Sequence, residues 1–275
     1  LVGEVRRKGI EVRAGVSLEG LEMPMEAGGP VVLHTSAGEI RAGAVVGADG
    51  AKSAVRRGIK LDAQSRVSRT IEILTPEDPE KSEEFVRQAA VFDFSYVTDG
   101  LQGYVWDFPS RVKGEAKMNR GACDFRVYPE RPMAPMKEMF KGYLGRKGIR
   151  LEEHKLMGNP SRWYDPEAKL SAPRVLLAGD AAGIEPLGGD GISAALGYGE
   201  VVAEELARAS ESGDWSFEGY EQRLAASDFG QYLATRLKRA RFFYKPRHPL
   251  AMRVFWVVLG WQLRLRVKRA EGLFE

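Results

Sequence analysis

One cysteine and three histidines leave little room for metal or thiol chemistry in this sequence. A lone Cys123 excludes an internal disulfide framework, suits a reducing cytosol, and reads as a small buried hydrophobe. His34, His154 and His248 are scattered and show no metal-ligand spacing, so no metal is expected. There is no Gly-x-Ser-x-Gly elbow and no Walker loop, which removes the common serine hydrolases and P-loop enzymes. No apolar run reaches the roughly 18 residues that a spanning helix needs. Acidic residues are absent from 229–270, where 11 Lys and Arg stand, while the rest of the chain has 30 basic and 38 acidic residues. The net charge of +3 therefore conceals an acidic body and a basic C-terminal segment.

What the chain does have is glycine and short apolar runs. Its 275 residues, 44% hydrophobic and with 31 glycines, are enough for an α/β core in one or two domains. The richest stretch is Arg174–Ile192. Val175 to Ala178 reads as a buried strand that ends at Gly179-Asp180. A glycine-rich turn follows, with Gly188, Gly189 and Gly191, and then a small-residue helix from Ile192 to Ala209. Ligands of open α/β sheets bind at that end of a strand. The helix points unpaired N–H groups and its positive dipole end at them. The Asp180 carboxylate suits hydroxyls better than phosphates, so a polyol is its natural partner. Any α/β protein can have such a turn, and on spacing alone a structural role is as good a reading.

A second segment shifts that balance. Ala44 to Val46 reads as another strand, ending in Gly47-Ala-Asp49-Gly50, with Ser53 in the turn and Arg56 and Arg57 after it. Together the two segments resemble the two downstream FAD fingerprints of the flavoprotein family that includes the aromatic hydroxylases and the geranylgeranyl reductases. They lie in the family's order, about 130 residues apart. The resemblance implies that Asp49, Gly50 and Ser53 lie near the FAD pyrophosphate, where NAD(P)H approaches as electron donor. It implies that Asp180 holds a ribityl hydroxyl. Gly179, Ala181, Pro186, Gly189, Asp190, Gly191 and Ile192 would line the cofactor, the helix facing the flavin's pyrimidine edge. Glu185 departs from the family's usual residue before Pro186 and places a carboxylate beside the turn. The family's first fingerprint, a Gly-x-Gly-x-x-Gly turn for the ADP half, is not in this sequence. The expectation is that a missing upstream segment or a partner chain supplies it.

Gly103-Tyr-Val-Trp-Asp-Phe-Pro109 resembles the Tyr-x-Trp-x-Phe-Pro signature of geranylgeranyl reductases. Tyr104, Trp106 and Phe108 share one face of a strand because side chains alternate with period two. The resemblance implies that they and Pro109 line a substrate tunnel for polyprenyl chains; an ordinary half-buried strand is the plain alternative. The signature's later Gly-x-Gly is matched only by Gly121-Ala-Cys123, and residues 110–120 read as a charged loop.

The resulting expectation is an α/β fold with an α+β insert. Residues 1–57 and 171–209 form a partial Rossmann-like FAD domain, 58–170 an inserted antiparallel-sheet substrate domain, and 210–275 a helical C-terminal region. Strands are expected at Ile10–Ala14, Val31–Thr35, Ile71–Leu74, Ala89–Phe94, Tyr104–Phe108 and Ala122–Val127, and a helix at Met133–Lys147. The function implied is FAD-dependent reduction of a double bond in an isoprenoid-like, lipid-like small molecule. The alternatives are an aromatic hydroxylase-type monooxygenase and a non-catalytic subunit. Leu250, Val254, Val257, Val258, Trp261 and Leu265 repeat at helical spacing with Arg253, Arg264, Arg266, Lys268 and Arg269 beside them. That pattern fits either a packed helix with a solvated basic face or peripheral contact with an anionic membrane. No recognition motif accompanies the charge, so no nucleic-acid partner is expected. A cytoplasmic protein, peripheral to the membrane, is the expected location.

Overall fold

The computed structural model describes residues 1–26, 28–61, 66–245, 250, 254–255 and 257–258. The chain divides into two compact units: Leu1–Val67 with Pro160–Leu237, and Ser68–Asn159 with Lys238–Glu275. These limits differ from the boundaries at 57, 170 and 209 expected from composition. Two of the three crossings, at 67/68 and 237/238, fall inside continuous elements, where no loop-like composition marks the change.

The first unit opens with α1 (Val2–Arg7) and a three-stranded antiparallel meander, β1 (Leu18–Glu22), β2 (Val31–Thr35) and β3 (Gly38–Ala42). Ile10–Ala14 forms no strand; the first strand is β1, whose residues pair with β2. The alternation in 10–14 has no partner to pair with, and an isolated strand has nowhere to place its backbone hydrogen bonds. Then come β4 (Val45–Gly47) and α2 (Ala54–Gly58).

Most of the second unit lies between these elements and the return to the first. Its strands are β5 (Val67–Pro76), β6 (Val91–Asp93), β7 (Val105–Val112), β8 (Glu115–Asp124) and β9 (Met157–Gly158), with helices α3 (Glu83–Val86) and α4 (Met136–Arg146). The antiparallel order is β5-β8-β7-β6, and β9 also pairs with β5. Residues 110–120 are not a loop. They are the tip and arms of the β7–β8 hairpin, turned by Lys113 and Gly114, both at positive φ. A two-residue turn with both φ positive matches strand twist, and the charges simply ride on the exposed tip. One sheet face, with Ile73, Val105 and Ala122, packs on Phe140 and Leu144 of α4. On that face Asp107 is fully buried, and its Oδ2 accepts from the Tyr143 hydroxyl at 2.7 Å and pairs with Lys147 at 2.7 Å.

The chain returns to the first unit with β10 (Ser161–Arg162), β11 (Ser171–Ala172), β12 (Val175–Leu177), α5 (Gly191–Ser212), α6 (Tyr220–Ala226) and α7 (Asp228–Phe243). β11, β12 and β4 form a small sheet in which β12 and β4 run parallel. α5 buries Ala194, Tyr198, Val201, Val202, Glu205 and Ala209, a single stripe at helical spacing. Glu205 is tolerated in it because Arg223 of α6 meets it with two hydrogen bonds of 2.5 and 2.6 Å. No helix among the described residues is long and apolar enough to cross a membrane.

Candidate functional site

Both glycine-aspartate segments leave the same end of the same sheet. β4 and β12 pair Val45 with Val175, Val46 with Leu176 and Gly47 with Leu177, so the turns at Asp49 and Asp180 emerge side by side. Gly47 makes this possible. A Cβ there would lie 2.8 Å from Val55 and 2.9 Å from Leu177, so only glycine lets α2 fold back on the strand pair.

The first turn is held by its own polar groups. Asp49 Oδ2 accepts from the backbone N–H of Ala54 at 2.6 Å and Val55 at 3.2 Å, and Ser53 Oγ accepts from Arg56 N–H at 2.8 Å. These acceptors cap α2, a role carboxylates and hydroxyls fill at helix starts. Gly50 sits at φ +81°, which glycine adopts without strain. Two buried arginines then join the segments. Arg56, 1% exposed, donates to the Ala181 carbonyl at 3.2 Å, and Arg162 of β10 donates to the Ala51 carbonyl at 3.1 Å.

The second turn is built differently. Gly183 has φ +123°, and a Cβ there would strike the Trp163 and Tyr164 backbone at 2.7 Å. Tyr164 N–H donates to the Ile184 carbonyl, and the Tyr198 hydroxyl to the Gly183 carbonyl, each at 2.8 Å. Glu185 is fully buried, beside the equally buried Pro186. Its carboxylate accepts from the N–H groups of Leu187 at 2.7 Å, Gly188 at 2.8 Å and Asp190 at 3.3 Å. Arg236 of α7 donates to both its oxygens at 3.2 and 3.1 Å. The turn thus wraps an internal anion. Gly189 takes φ +70°, and Asp190 caps α5 by accepting from Ser193 N–H at 3.1 Å, which holds its carboxyl below the usual range. Ile192 is exposed in the first turn of α5.

Asp180 is the exception among these carboxylates. It follows Gly179, which has φ +56°, and precedes the buried Ala181. It lies beside the start of α5, where a Cβ on Gly191 would come within 3.5 Å of Oδ1. No hydrogen bond or ion pair reaches it among the described residues. Burial pushes its pKa above the ordinary aspartate value. A half-buried acceptor without a donor at a helix N-terminus fits a hydroxyl-bearing ligand, and the ribityl chain of FAD has that chemistry.

The second unit contains the aromatic face. Tyr104, just before β7, and Trp106 and Phe108 within it do share one side: Tyr104–Trp106 centroids are 5.9 Å apart and Trp106–Phe108 5.7 Å. Phe92 of β6 meets Tyr104 at 5.1 Å and Phe108 at 4.9 Å. Tyr104 and Trp106 are buried; Phe92 is 48% exposed and Phe108 and Pro109 are half-buried, so the face is open at that end. Trp106 Nε1 donates to Asn119 Oδ1 at 2.9 Å. Cys123 stands on the same face, and burial pushes its thiol up to about 12, which favours the neutral thiol over the thiolate.

Sequence reasoning missed Arg162, Arg236, Phe92, the burial of Arg56 and the acceptor role of Glu185. Arg56 was visible only as the end of the first motif, and Glu185 as an unexpected carboxylate in a glycine-rich turn. Residues 261–275 and Arg253 lie outside the described residues, and with them Trp261, Leu265 and the basic cluster at 264–269.

No family model matches the chain. It is 32% identical over 219 residues to a digeranylgeranylglycerophospholipid reductase of Methanothrix thermoacetophila, which covers 75% of this chain and 52% of that protein. Among solved structures it is similar to a geranylgeranyl bacteriochlorophyll reductase-like protein of Thermoplasma acidophilum, with TM-score 0.63 and 20% identity over 88% of this chain and 59% of that one. A further likeness is to aklavinone-11 hydroxylase in complex with FAD and aklavinone: TM-score 0.50, 22% identity, 76% of this chain and 40% of that one. The chain spans about half the length of the curated relatives it matches. The fold is the Rossmann-like nucleotide fold of these solved structures. In sequence and fold the chain is similar to the geranylgeranyl reductase-like group.

Proposed function

We propose that this chain holds the flavin and the substrate in a reductase that saturates carbon–carbon double bonds of an isoprenoid lipid, with FAD reduced by NAD(P)H or another electron donor. The observation that carries the reading is the unpartnered Asp180 carboxylate beside Gly191, at the end where two parallel strands deliver both motifs. The bound flavin supplies hydride transfer, and the protein supplies position and electrostatics. Asp180 accepts from a ribityl hydroxyl and the first turn of α5 faces the pyrimidine edge. Asp49, Ser53, Arg56 and Arg162 keep the two turns in register. Tyr104, Trp106 and Phe108 offer an apolar wall to the prenyl chain. The aromatic-hydroxylase reading rests on the shared fold; oxygen uptake coupled to substrate turnover separates the two.

The test is a fluorescence titration of FAD against the protein. Asp180→Ala removes a charge-assisted hydrogen bond of about 1.5–3 kcal/mol, so affinity falls about tenfold or more with the fold intact. The sign of the pH dependence follows from the raised pKa. Without ligand, ionising the buried carboxylate costs stability: the cost is absent below the unfolded-state pKa and fully present above the raised one. Hydroxyl donors favour the charged form, so FAD affinity rises with pH through the Asp180 titration and is flat in Asp180→Asn. An unchanged dissociation constant in Asp180→Ala sinks the assignment.

The same reading gives the basic C-terminal segment an anionic membrane surface as its partner, where a lipid substrate resides. Val254, Val257 and Val258 are exposed, and 229–270 carries no acidic residue. The protein co-sediments with anionic vesicles at low salt, is released at high salt, and ignores neutral vesicles, because exposed charges are screened over about 8–10 Å at moderate salt. Reversing Arg264, Arg266, Lys268 and Arg269 to Glu abolishes sedimentation. Continued binding by that variant marks the segment as an ordinary packed helix.

A further inference from the structure

The turn that leads into α5 encloses a charge pair for which the FAD reading has so far given no use. Glu185 is fully buried and accepts from the N–H groups of Leu187, Gly188 and Asp190. Arg236 of α7 donates to both its oxygens, and the Arg236 side chain is 26% exposed. Gly188 lets the pair sit directly against the turn: a Cβ there would lie 2.8 Å from Glu185 Oε1 and 3.0 Å from Arg236 Nη2. The other charges at this end of α5 are Asp190, which caps the helix, Asp180 beside Gly191, and Arg56, which donates to the Ala181 carbonyl. Asp190 is held low first by its bond from Ser193, and the field of Arg236 adds to that. The charge of Arg236 is therefore felt at the helix start.

Glu185 does two things here. It takes three backbone donors of the turn for itself, and it cancels the charge of Arg236. Without it, the turn would turn three N–H dipoles and a guanidinium toward the N-terminus of α5, an arrangement that favours an anion. We propose that Glu185 is a positioning residue for electron transfer: by neutralising Arg236 and occupying these donors, it lowers the reduction potential of FAD held at the start of α5. The inference rests on the FAD reading and deepens it. Two-electron reduction by a hydride adds two electrons and one proton, so the isoalloxazine afterwards carries one more negative charge. Positive dipoles and cations beside the ring favour that charge and raise the potential, and cancelling them lowers it. A buried carboxylate acts strongly because little water screens it. The lower potential suits the proposed reaction. A carbon–carbon double bond with no electron-withdrawing neighbour accepts hydride poorly and needs a strong donor. The hydride goes to one carbon, a proton from water completes the other, and oxidised FAD is regenerated.

The test is an anaerobic titration of the full 275-residue chain with FAD, oxidised or reduced by dithionite, at mildly alkaline pH. The ratio of the two dissociation constants gives the potential relative to free FAD, each factor of ten being about 30 mV for a two-electron couple. The wild type is expected to bind reduced FAD no more tightly than oxidised FAD. Glu185→Gln keeps an acceptor and loses the charge, and shifts the ratio about tenfold toward the reduced form. Arg236→Gln shifts it about tenfold the other way, because three backbone donors still hold the carboxylate. Arg236→Lys keeps the charge and stays near the wild type. A purely structural role weakens both forms alike and moves no ratio. Circular dichroism checks folding; if Glu185→Gln is unfolded, Arg236→Gln against Arg236→Lys decides. Equal ratios in all folded variants, shifts of one sign in Glu185→Gln and Arg236→Gln, or a wild type that prefers reduced FAD overturns the proposal. Oxidised FAD bound with a ratio that no variant moves removes the charge role and keeps the FAD reading; a wild type that binds neither form removes both.

Discussion

Glu185→Ala is expected to lower the unfolding free energy by about 3–5 kcal/mol, the cost of removing one member of a buried, hydrogen-bonded charge pair. The carboxylate is fully buried, and Arg236 is 26% exposed at its side chain, so solvent screens the pair only weakly. Alanine strands the guanidinium and leaves the N–H groups of Leu187, Gly188 and Asp190 without their acceptor. Arg236→Met is milder, because the carboxylate keeps three backbone donors. The double variant costs less than the sum of the two, since each single change removes the same interaction. Denaturant unfolding measures the cycle, and amide exchange localises it: Leu187 and Gly188 exchange slowly in the native protein and rapidly in Glu185→Ala. A loss below about 1 kcal/mol with both amides still protected would show that the turn does not depend on this anion.

That pair also marks the limit of what was legible in the sequence. The strand–turn–helix at 175–209 was readable because it is local: an apolar run, a carboxylate, glycines, then small residues at helical spacing. The shared face of Tyr104, Trp106 and Phe108 was readable because strand geometry alone fixes it. Glu185 could be seen as odd, but its partner is 51 positions away on α7. Nothing periodic announces such a contact. The same holds for Arg56 and Arg162, which look like surface charge in sequence yet are buried against carbonyls in other elements. The hairpin at Lys113-Gly114 was hidden differently. Its arms and tip carry charges at 111, 113, 115 and 117 that suggested a loop, and only the pairing of the two arms across the turn shows that they are a projecting ribbon.

Gly121→Ala is expected to destabilise the second unit strongly. Gly121 on β8 is the cross-strand partner of Trp106 on β7, and the indole lies over it. A Cβ there would sit 2.2 Å from Cζ2 and 2.5 Å from Cη2 of Trp106, and 2.6 Å from the Ile71 carbonyl oxygen. The ring cannot swing aside freely. Its Nε1 is bonded to Asn119, whose amide in turn donates to Glu72 Oε2 at 3.0 Å, and it is flanked by Tyr104 and Phe108. The carbonyl belongs to β5, which pairs with β8 along its length, so it is fixed as well. Overpacking of this kind costs about 1–3 kcal/mol, and losing the indole hydrogen bond adds about 1 kcal/mol. Trp106→Leu in the Gly121→Ala background should recover only part of the loss, because the Ile71 oxygen remains in the way. The near-ultraviolet circular dichroism of Gly121→Ala should lose intensity as Trp106 leaves its pocket. Wild-type stability with an unchanged spectrum would mean that the ring does not rest on this glycine. The departure from the family's Gly-x-Gly then has a physical meaning. The first glycine is kept because an indole rests on its Cα. The second position can be Cys123 because its small buried thiol faces Tyr104 at the edge of the ring cluster, where a Cβ fits.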